Sequence, residues 1–467
     1  MPPIILSQQP LISPLTNPTQ ILSKLAIFDG VIWLNDQQNP VIGLCPRQLV
    51  QCRTSGVYHQ QRQATGQLSP AQPSSMDFAQ TAKHLWQVEQ SNRWQSIKCQ
   101  GFHGGLMGFI GYDWAAEHHL QTTPVFSPNA TSIDPITASL GYYDIFFRLE
   151  AQGWQLYGND CPSLAPLYQR IAHALNQPSP TYTLQSDRPF DPRWTRADYQ
   201  AAFMQVQQYL RAGDCYQVNL TQPFECRVAG SLLAALDPLQ HLTQAPYAGY
   251  LRLNAAQEIL SCSPELFVEF AAHRQVITRP IKGTQPRYSD PIQDEQSKQA
   301  LVTSEKDQAE NLMIVDLLRN DLAKYAQIGS VHVPQLFEVE SFAQVHHLVS
   351  EIHATLAADQ SPLDLLLDAL PGGSITGAPK IRAMQIIAEL EAGRRGAYCG
   401  SMGYLNMDGT GRFNILIRTL ERIGEQLTAW AGGGITIASD PDQEYQECLD
   451  KIGAILACVD QIAATQG

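Results

Sequence analysis

A chain of 467 residues, 44% hydrophobic and 16% charged, has ample material for one large fold or two domains and the composition of an ordinary globular protein. Its net charge of −13 argues against general binding to nucleic acid, and no apolar run approaches the length of a membrane span. The start, Met1-Pro2-Pro3-Ile4-Ile5-Leu6, carries no basic leader, and ten cysteines stand singly with no Cys-x-x-Cys pair, which suits reduced thiols in a cytoplasmic enzyme better than disulfides or a zinc site.

Residues 1–175 mix short strand-like runs with loops. Within them, residues 55–76 are polar and rich in Gln, Ser and Pro, which predicts a loop or flap. Residues 104–113 form a glycine-spaced apolar segment, suited to a tight strand or helix contact but lacking the context of a dinucleotide fingerprint. Residues 176–193 contain four prolines and predict a linker, so the main boundary is expected there, ahead of a catalytic region over 194–465. Thr195-Arg196-Ala197-Asp198 predicts a capping box, and Phe203, Val206 and Leu210 give a helical stripe stopped by Gly213. Residues 216–220 alternate like a strand, and 266–270 and 276–278 also read as strands. A long helix is predicted over 304–325, a second opening at Pro379, a strand at 426–430 running into Gly432-Gly433-Gly434, and a last helix over 443–462. Mixed strands and helices of this kind indicate an α/β or α+β protein.

Several positions could carry chemistry. Lys282 sits in Arg279-Pro280-Ile281-Lys282-Gly283-Thr284, between Pro-Ile and a glycine turn. Facing a closed pocket it would lose its proton and become a nucleophile; otherwise it is a surface lysine beside a hairpin. On the last helix Glu444, Glu447 and Lys451 share one narrow face beside the stripe Tyr445, Cys448, Leu449, Ile452, Leu456 and Val459, which a solvated charged surface would also explain. Asp307 and Glu310 form a second acidic pair, three apart on the 304–325 helix. Hard oxygen ligands from two helices suit Mg²⁺, which takes one or two direct carboxylates and keeps several waters. Gly432-Gly433-Gly434 after a strand could expose N–H groups as an anion nest, and residues 371–380 lead into a helix start that attracts carboxylate or phosphate; a tight turn explains either. Arg418, flanked by apolar residues, is a candidate carboxylate fork. Glu265, just before an apolar strand, reads equally as a general acid of raised pKa or as a loop carboxylate.

Together these segments resemble the chorismate-utilising enzymes, the family of the anthranilate, aminodeoxychorismate, isochorismate and salicylate synthases. The likeness runs nearly continuously over 195–462. Its most specific pieces are Asp307-x-x-Glu310-Asn311-Leu312-Met313, Gly373-Ser374-Ile375-Thr376-Gly377-Ala378-Pro379-Lys380 and Asp440-Pro441-x-x-Glu444-x-x-Glu447. The resemblance implies a large antiparallel β-sandwich flanked by helices, of the anthranilate synthase component I type. Glu310 and Glu447 match direct Mg²⁺ ligands, and Asp307 and Glu444 match acids acting through water. Glu265 matches the acid that helps the ring 4-hydroxyl leave. Tyr398, Arg418, Gly432, Gly433 and Gly434 match groups holding the substrate carboxylates, His347 and Thr376 match pocket residues, and Lys451 matches a lysine near the metal acids.

Two positions separate the branches of this family. Gln217 stands where the isochorismate and salicylate enzymes carry a water-activating lysine, which disfavours water addition. The anthranilate enzymes carry Pro-Ile-Ala-Gly where this chain has Pro280-Ile281-Lys282-Gly283, the lysine being the mark of the aminodeoxychorismate branch. The implied reaction makes 4-amino-4-deoxychorismate from chorismate and ammonia, toward para-aminobenzoate and folate. Anthranilate formation or a non-catalytic homologue are the alternatives. No Gly-x-Cys-x-Gly elbow is seen, so a separate glutaminase subunit is implied as the ammonia source. Residues 31–36, Val-Ile-Trp-Leu-Asn-Asp, do not match the Leu-Leu-Glu-Ser motif that binds tryptophan in anthranilate synthases, so tryptophan feedback is not expected.

Overall fold

In the computed structural model the structure describes residues 4–5, 12–13, 17–36, 39–91, 101–120, 133–159, 161–342, 345–391 and 393–465. Two large sheets of 14 and 12 strands dominate it, and every pairing in both is antiparallel. Helices flank the sheets, as the α+β expectation and the family resemblance required.

Both sheets interleave strands from either side of the 176–193 segment. Gly105–Ile110 pairs on one edge with Ile136–Tyr143 and on the other with Ser401–Asn406. In the other sheet Ile32–Leu34 pairs with Gly249–Arg252. The 176–193 segment itself contributes Leu184–Ser186 and Asp191–Pro192, both paired with Gln217–Gly230. The glycines of the 104–113 segment have a steric purpose. A Cβ on Gly105 or Gly108 would run into the carbonyl oxygens of Leu405 and Ser139 on the neighbouring strands. Residues 55–76 are only partly a loop: Gly56–Gln61 and Gln72–Pro73 form the edge of the 12-stranded sheet, with irregular chain between them. An edge strand buries neither face fully, so its polar composition imitated a loop.

Between the sheets, Ile32, Leu251 and Ile259 from one inner face meet Met107, Phe109, Met402 and Tyr404 from the other. Each such fully buried side chain contributes about 1.5–3 kcal/mol over leaving it in water. The elements that carry chemistry lie outside this centre. Gln217–Gly230 is buried at every position from Gln217 to Phe224, so the expected alternation gives way to burial on both faces. It runs beside Gln426–Ile435, with Asn219 opposite Gly434 and Leu220 opposite Gly433. Helix Pro441–Thr465 covers that strand through Cys448, Ile452, Ile455 and Val459, whose spacings of four and three make one helical face. Helix Glu305–Ala323 is capped by Ser304, whose side chain accepts from the Asp307 N–H, and helix Arg196–Ala212 starts in the expected Thr195–Asp198 box and ends at left-handed Gly213.

Candidate active site

Lys282 lies where the strand Ile281–Pro286 leaves its ladder. Pairing with Val345–Thr355 shifts between Ile281 and Thr284, so Lys282 and Gly283 form a bulge. Bulges re-aim side chains, and here the turn needs glycine: Gly283 has φ +83°, and a Cβ there would press on Asp307 at 2.9 Å. The Lys282 ammonium donates to the Ser374 carbonyl at 3.2 Å. Burial pushes its pKa down, while Glu310 and Glu265 pull the other way. Glu265 is 7% exposed, accepts from the Ser374 hydroxyl at 3.2 Å, and is pushed above the usual carboxylate range by burial, against the charge of Lys282. One residue, Ser374, therefore touches both the lysine and the acid.

Of the four acids expected around a metal, Glu310 and Glu447 act on the charge of Lys282, one from each of two helices. Glu310 is raised by burial, with Lys282 and Lys306 opposing, and its Oε1 is buried without a hydrogen-bond partner. Glu444 is not on a solvated face: it is 3% exposed, accepts from Ser439 at 2.7 Å and faces Lys306 at 3.5 Å. Glu447 is half exposed and ion-pairs with Lys451 at 2.7 Å. Burial works to raise its pKa, but Lys451, joined by Lys306 and Lys282, tips the net shift downward. Lys451 also donates to the Gly432 carbonyl at 3.0 Å. As placed, no three His, Cys, Asp or Glu among the described residues gather closely enough to hold a metal ion. The donor chemistry still fits a hard cation: all four groups are carboxylates, and a buried carboxylate oxygen on Glu310 is left unsatisfied.

Gly432, Gly433 and Gly434 are a correction. They continue the regular strand Gln426–Ile435 and do not form a nest. Their missing side chains serve close approach instead. A Cβ on Gly433 would lie 3.0 Å from Glu444 Oε2 and 3.5 Å from Lys451 Nζ, and one on Gly434 would collide with the Gln217 amide. Gln217 is fully buried, and neither amide atom has a partner. Arg418 adopts φ +52°, a left-handed conformation that costs a non-glycine residue about 1–2 kcal/mol. Its guanidinium has no hydrogen-bond or ion-pair partner among the described residues. His347 is buried, bonded to Thr284 at 2.9 Å, and its pKa is pushed down to about 4 by burial and then by Arg418. Tyr398 is 6% exposed and stacks on Trp430 with ring centres 6.0 Å apart. Thr376 spends its hydroxyl on the Gly372 carbonyl at 3.0 Å. Lys380, expected at an anion-attracting helix start, instead pairs with buried Asp321 at 2.6 Å.

Sequence reasoning gave no role to Ser374 or Lys306. Ser374 was visible inside the Gly373–Lys380 motif. Lys306 stands four residues before Glu310 on the same helix, a spacing that brings side chains together. A cavity of about 570 Å³ lies elsewhere, lined by Asp113, Arg193, Glu225, Arg394, Glu421 and Trp430 among others, and contains none of the expected site residues. Unsatisfied and shifted groups, not volume, locate the candidate site.

A family model described as chorismate binding enzyme matches residues 36–457. The chain belongs to the chorismate-binding enzyme family. Among curated relatives it is 43% identical to aminodeoxychorismate synthase component 1 of Escherichia coli over 76% of this chain and 77% of that one. It is 41% identical to an anthranilate synthase component 1 of Haloarcula marismortui over 58% of this chain and 55% of that one. Among solved structures, anthranilate synthase component I from Streptococcus pneumoniae superposes with a TM-score of 0.72 at 25% identity, covering 90% of this chain and 92% of that one. The menaquinone-specific isochorismate synthase of Escherichia coli shares the fold, with a TM-score of 0.69 at 19% identity over 97% of this chain and 94% of that one.

Proposed function

We propose that this chain is an aminodeoxychorismate synthase component I, converting chorismate and ammonia to 4-amino-4-deoxychorismate, with a separate glutaminase subunit supplying the ammonia. The observation that carries the reading is the pairing of Lys282 and Glu265 across Ser374, each with its pKa displaced toward the neutral form. A neutral amine is a nucleophile, and a protonated carboxyl is an acid.

In this reading Glu265 gives its proton to the departing ring 4-hydroxyl, which leaves as water. The Lys282 nitrogen forms a bond at C2 as the ring double bonds shift. Ammonia then bonds at C4, the shift reverses, and the C2–nitrogen bond breaks to release the lysine. Two allylic displacements place the new amine where the hydroxyl was, which direct attack at C2 would not do. Arg418 offers an open guanidinium to a carboxylate, and Gln217 offers an unpaired buried amide. Glu310 and Glu447, with Asp307 and Glu444 behind them, would hold Mg²⁺. When bound, the ion would supply Lewis acidity that strengthens electron withdrawal from the ring.

The test compares Lys282→Arg with Lys282→Ala in the presence of chorismate, ammonium salt and Mg²⁺. Arginine keeps the charge but cannot readily deprotonate. Both variants are expected to stop making aminodeoxychorismate, with alanine leaking anthranilate-type product by direct attack at C2. Intact mass should reveal an adduct on the wild type alone. Aminodeoxychorismate formation by the arginine variant at near wild-type rate would refute the nucleophile, and with it the choice over anthranilate synthase.

A further inference from the structure

The acid cluster holds three ammonium groups, and they are not equivalent. Lys282 is bonded to the Ser374 carbonyl, and Lys451 is bonded to both Glu447 and the Gly432 carbonyl. Lys306 has one ion-pair partner among the described residues, Glu444, at 3.5 Å. That distance is longer than the 2.7–2.9 Å of a well-made charge-assisted hydrogen bond. The Lys306 side chain is half exposed, while the Glu444 side chain is only 4% exposed. The ammonium therefore reaches from solvent over a carboxylate that cannot itself reach solvent. Glu310 and Glu447 also act on the Lys306 charge, so it sits in the field of three of the four acids.

Resting on the metal reading above, we infer that the Lys306 ammonium holds the place of the divalent cation among these acids and is displaced when the cation binds. Like-charge repulsion favours exchange over addition: a cation bound at Glu444 would share that buried carboxylate with the Lys306 ammonium, which lies 3.5 Å from it. The geometry permits exchange: Lys306 rises from the first turn of helix Glu305–Ala323, and its long stem can swing outward without disturbing the backbone. The lysine thus keeps buried carboxylates from facing one another unscreened and lowers apparent affinity for the metal, which must compete with it.

Calorimetric titration of the full chain with Mg²⁺, without chorismate, tests this. Lys306→Met keeps the stem and removes the charge, and should tighten Mg²⁺ binding roughly two- to fivefold, the scale of a partly screened ion pair. Lys306→Arg, which keeps the charge, should bind Mg²⁺ within about twofold of wild type on the same scale. A second measurement needs no variant: acetylation of Lys306 by acetic anhydride, followed by peptide mass spectrometry, should rise when Mg²⁺ is added. If wild type binds Mg²⁺ but Lys306→Met binds no more tightly, or Lys306 labelling does not rise, the displacement idea is overturned while the metal site stands. If wild type shows no Mg²⁺ binding, both fall together.

Discussion

Two charge clusters touch the Gly373–Ile375 turn, through Arg395 and through Lys282, and they are built to opposite rules. In the first, Arg395 and Glu391 meet through two bonds, at 2.6 and 2.7 Å. Arg395 also donates to the Ile375 and Asn219 carbonyls, at 3.0 and 2.8 Å, and lies 4.6 Å from the Tyr112 ring centre. Glu391 in turn accepts from the Thr221 N–H and hydroxyl, at 2.9 and 2.8 Å. In the second cluster, around Lys282, a Glu310 oxygen and both Gln217 amide atoms are buried and unpaired. The first is closed and braces the turn that carries Ser374. The second has open hydrogen-bonding capacity at the very groups the chemistry needs. Burial alone does not set the second cluster apart; unmet hydrogen-bonding capacity beside the displaced pKa values of Lys282 and Glu265 does.

Each cluster can be broken by a substitution that should leave the other intact. The largest effect is expected on turnover. Glu265→Gln keeps shape and hydrogen bonding but has no proton to give, and should slow the reaction about 10²–10⁴-fold. Its stability should change in a distinct way with pH. Because the folded pKa of Glu265 is raised, the folded state binds more protons above the ordinary glutamate value of 4.5, so this group's stabilising share is lost as pH rises through the window between that value and the raised one. Denaturant titrations of Glu265→Gln across that window should lack that decline. Equal pH slopes in the variant and the wild type would show the carboxyl is already ionised.

Next in size is the brace. Arg395→Met leaves Glu391 buried without its counter-charge, and should cost about 3–5 kcal/mol in urea unfolding. Lys282→Met, removing an amine that burial already drives toward neutrality, should cost little. If both substitutions destabilised equally, the distinction between closed and open clusters would collapse. The smallest effect concerns Gln217. Leaving a buried amide unpaired costs about 1–3 kcal/mol, so Gln217→Met should stabilise the ligand-free protein by about 1 kcal/mol while raising KM for chorismate. A loss of stability instead would mean that the amide has partners in solution.

Much of this was legible in the sequence, for reasons that differ by residue. The capping box at Thr195 and the glycine stop at Gly213 are local, and local signals survive folding. The acid pairs were readable because helical spacing fixes which side chains share a face. Glu444 shows the limit: its own helix put it beside charged neighbours, but strand Gln426–Ile435, with no side chain at Gly433, buries it. The Gly432–Gly434 run misled because glycine serves both nests and close strand approach, and only the partner across the ladder decides between them. The 55–76 hairpin misled because an edge strand is as polar as a loop. The Glu391–Arg395 brace was visible as an i,i+4 pair, yet nothing local marked it as fully buried.

Helix Pro441–Thr465 carries Glu444, Glu447 and Lys451, and it is made after every other described element. At about 5–20 residues per second, a ribosome spends tens of seconds on the preceding chain. Through that interval strand Gln426–Ile435 has no helix against it, and Glu310 has no acids opposite. The proposed site therefore cannot be assembled until this last helix has been made. A stop codon in place of Glu444 would remove both helical acids and the whole covering face of Cys448, Ile452, Ile455 and Val459 at one stroke, leaving an apolar strip exposed on the strand beneath.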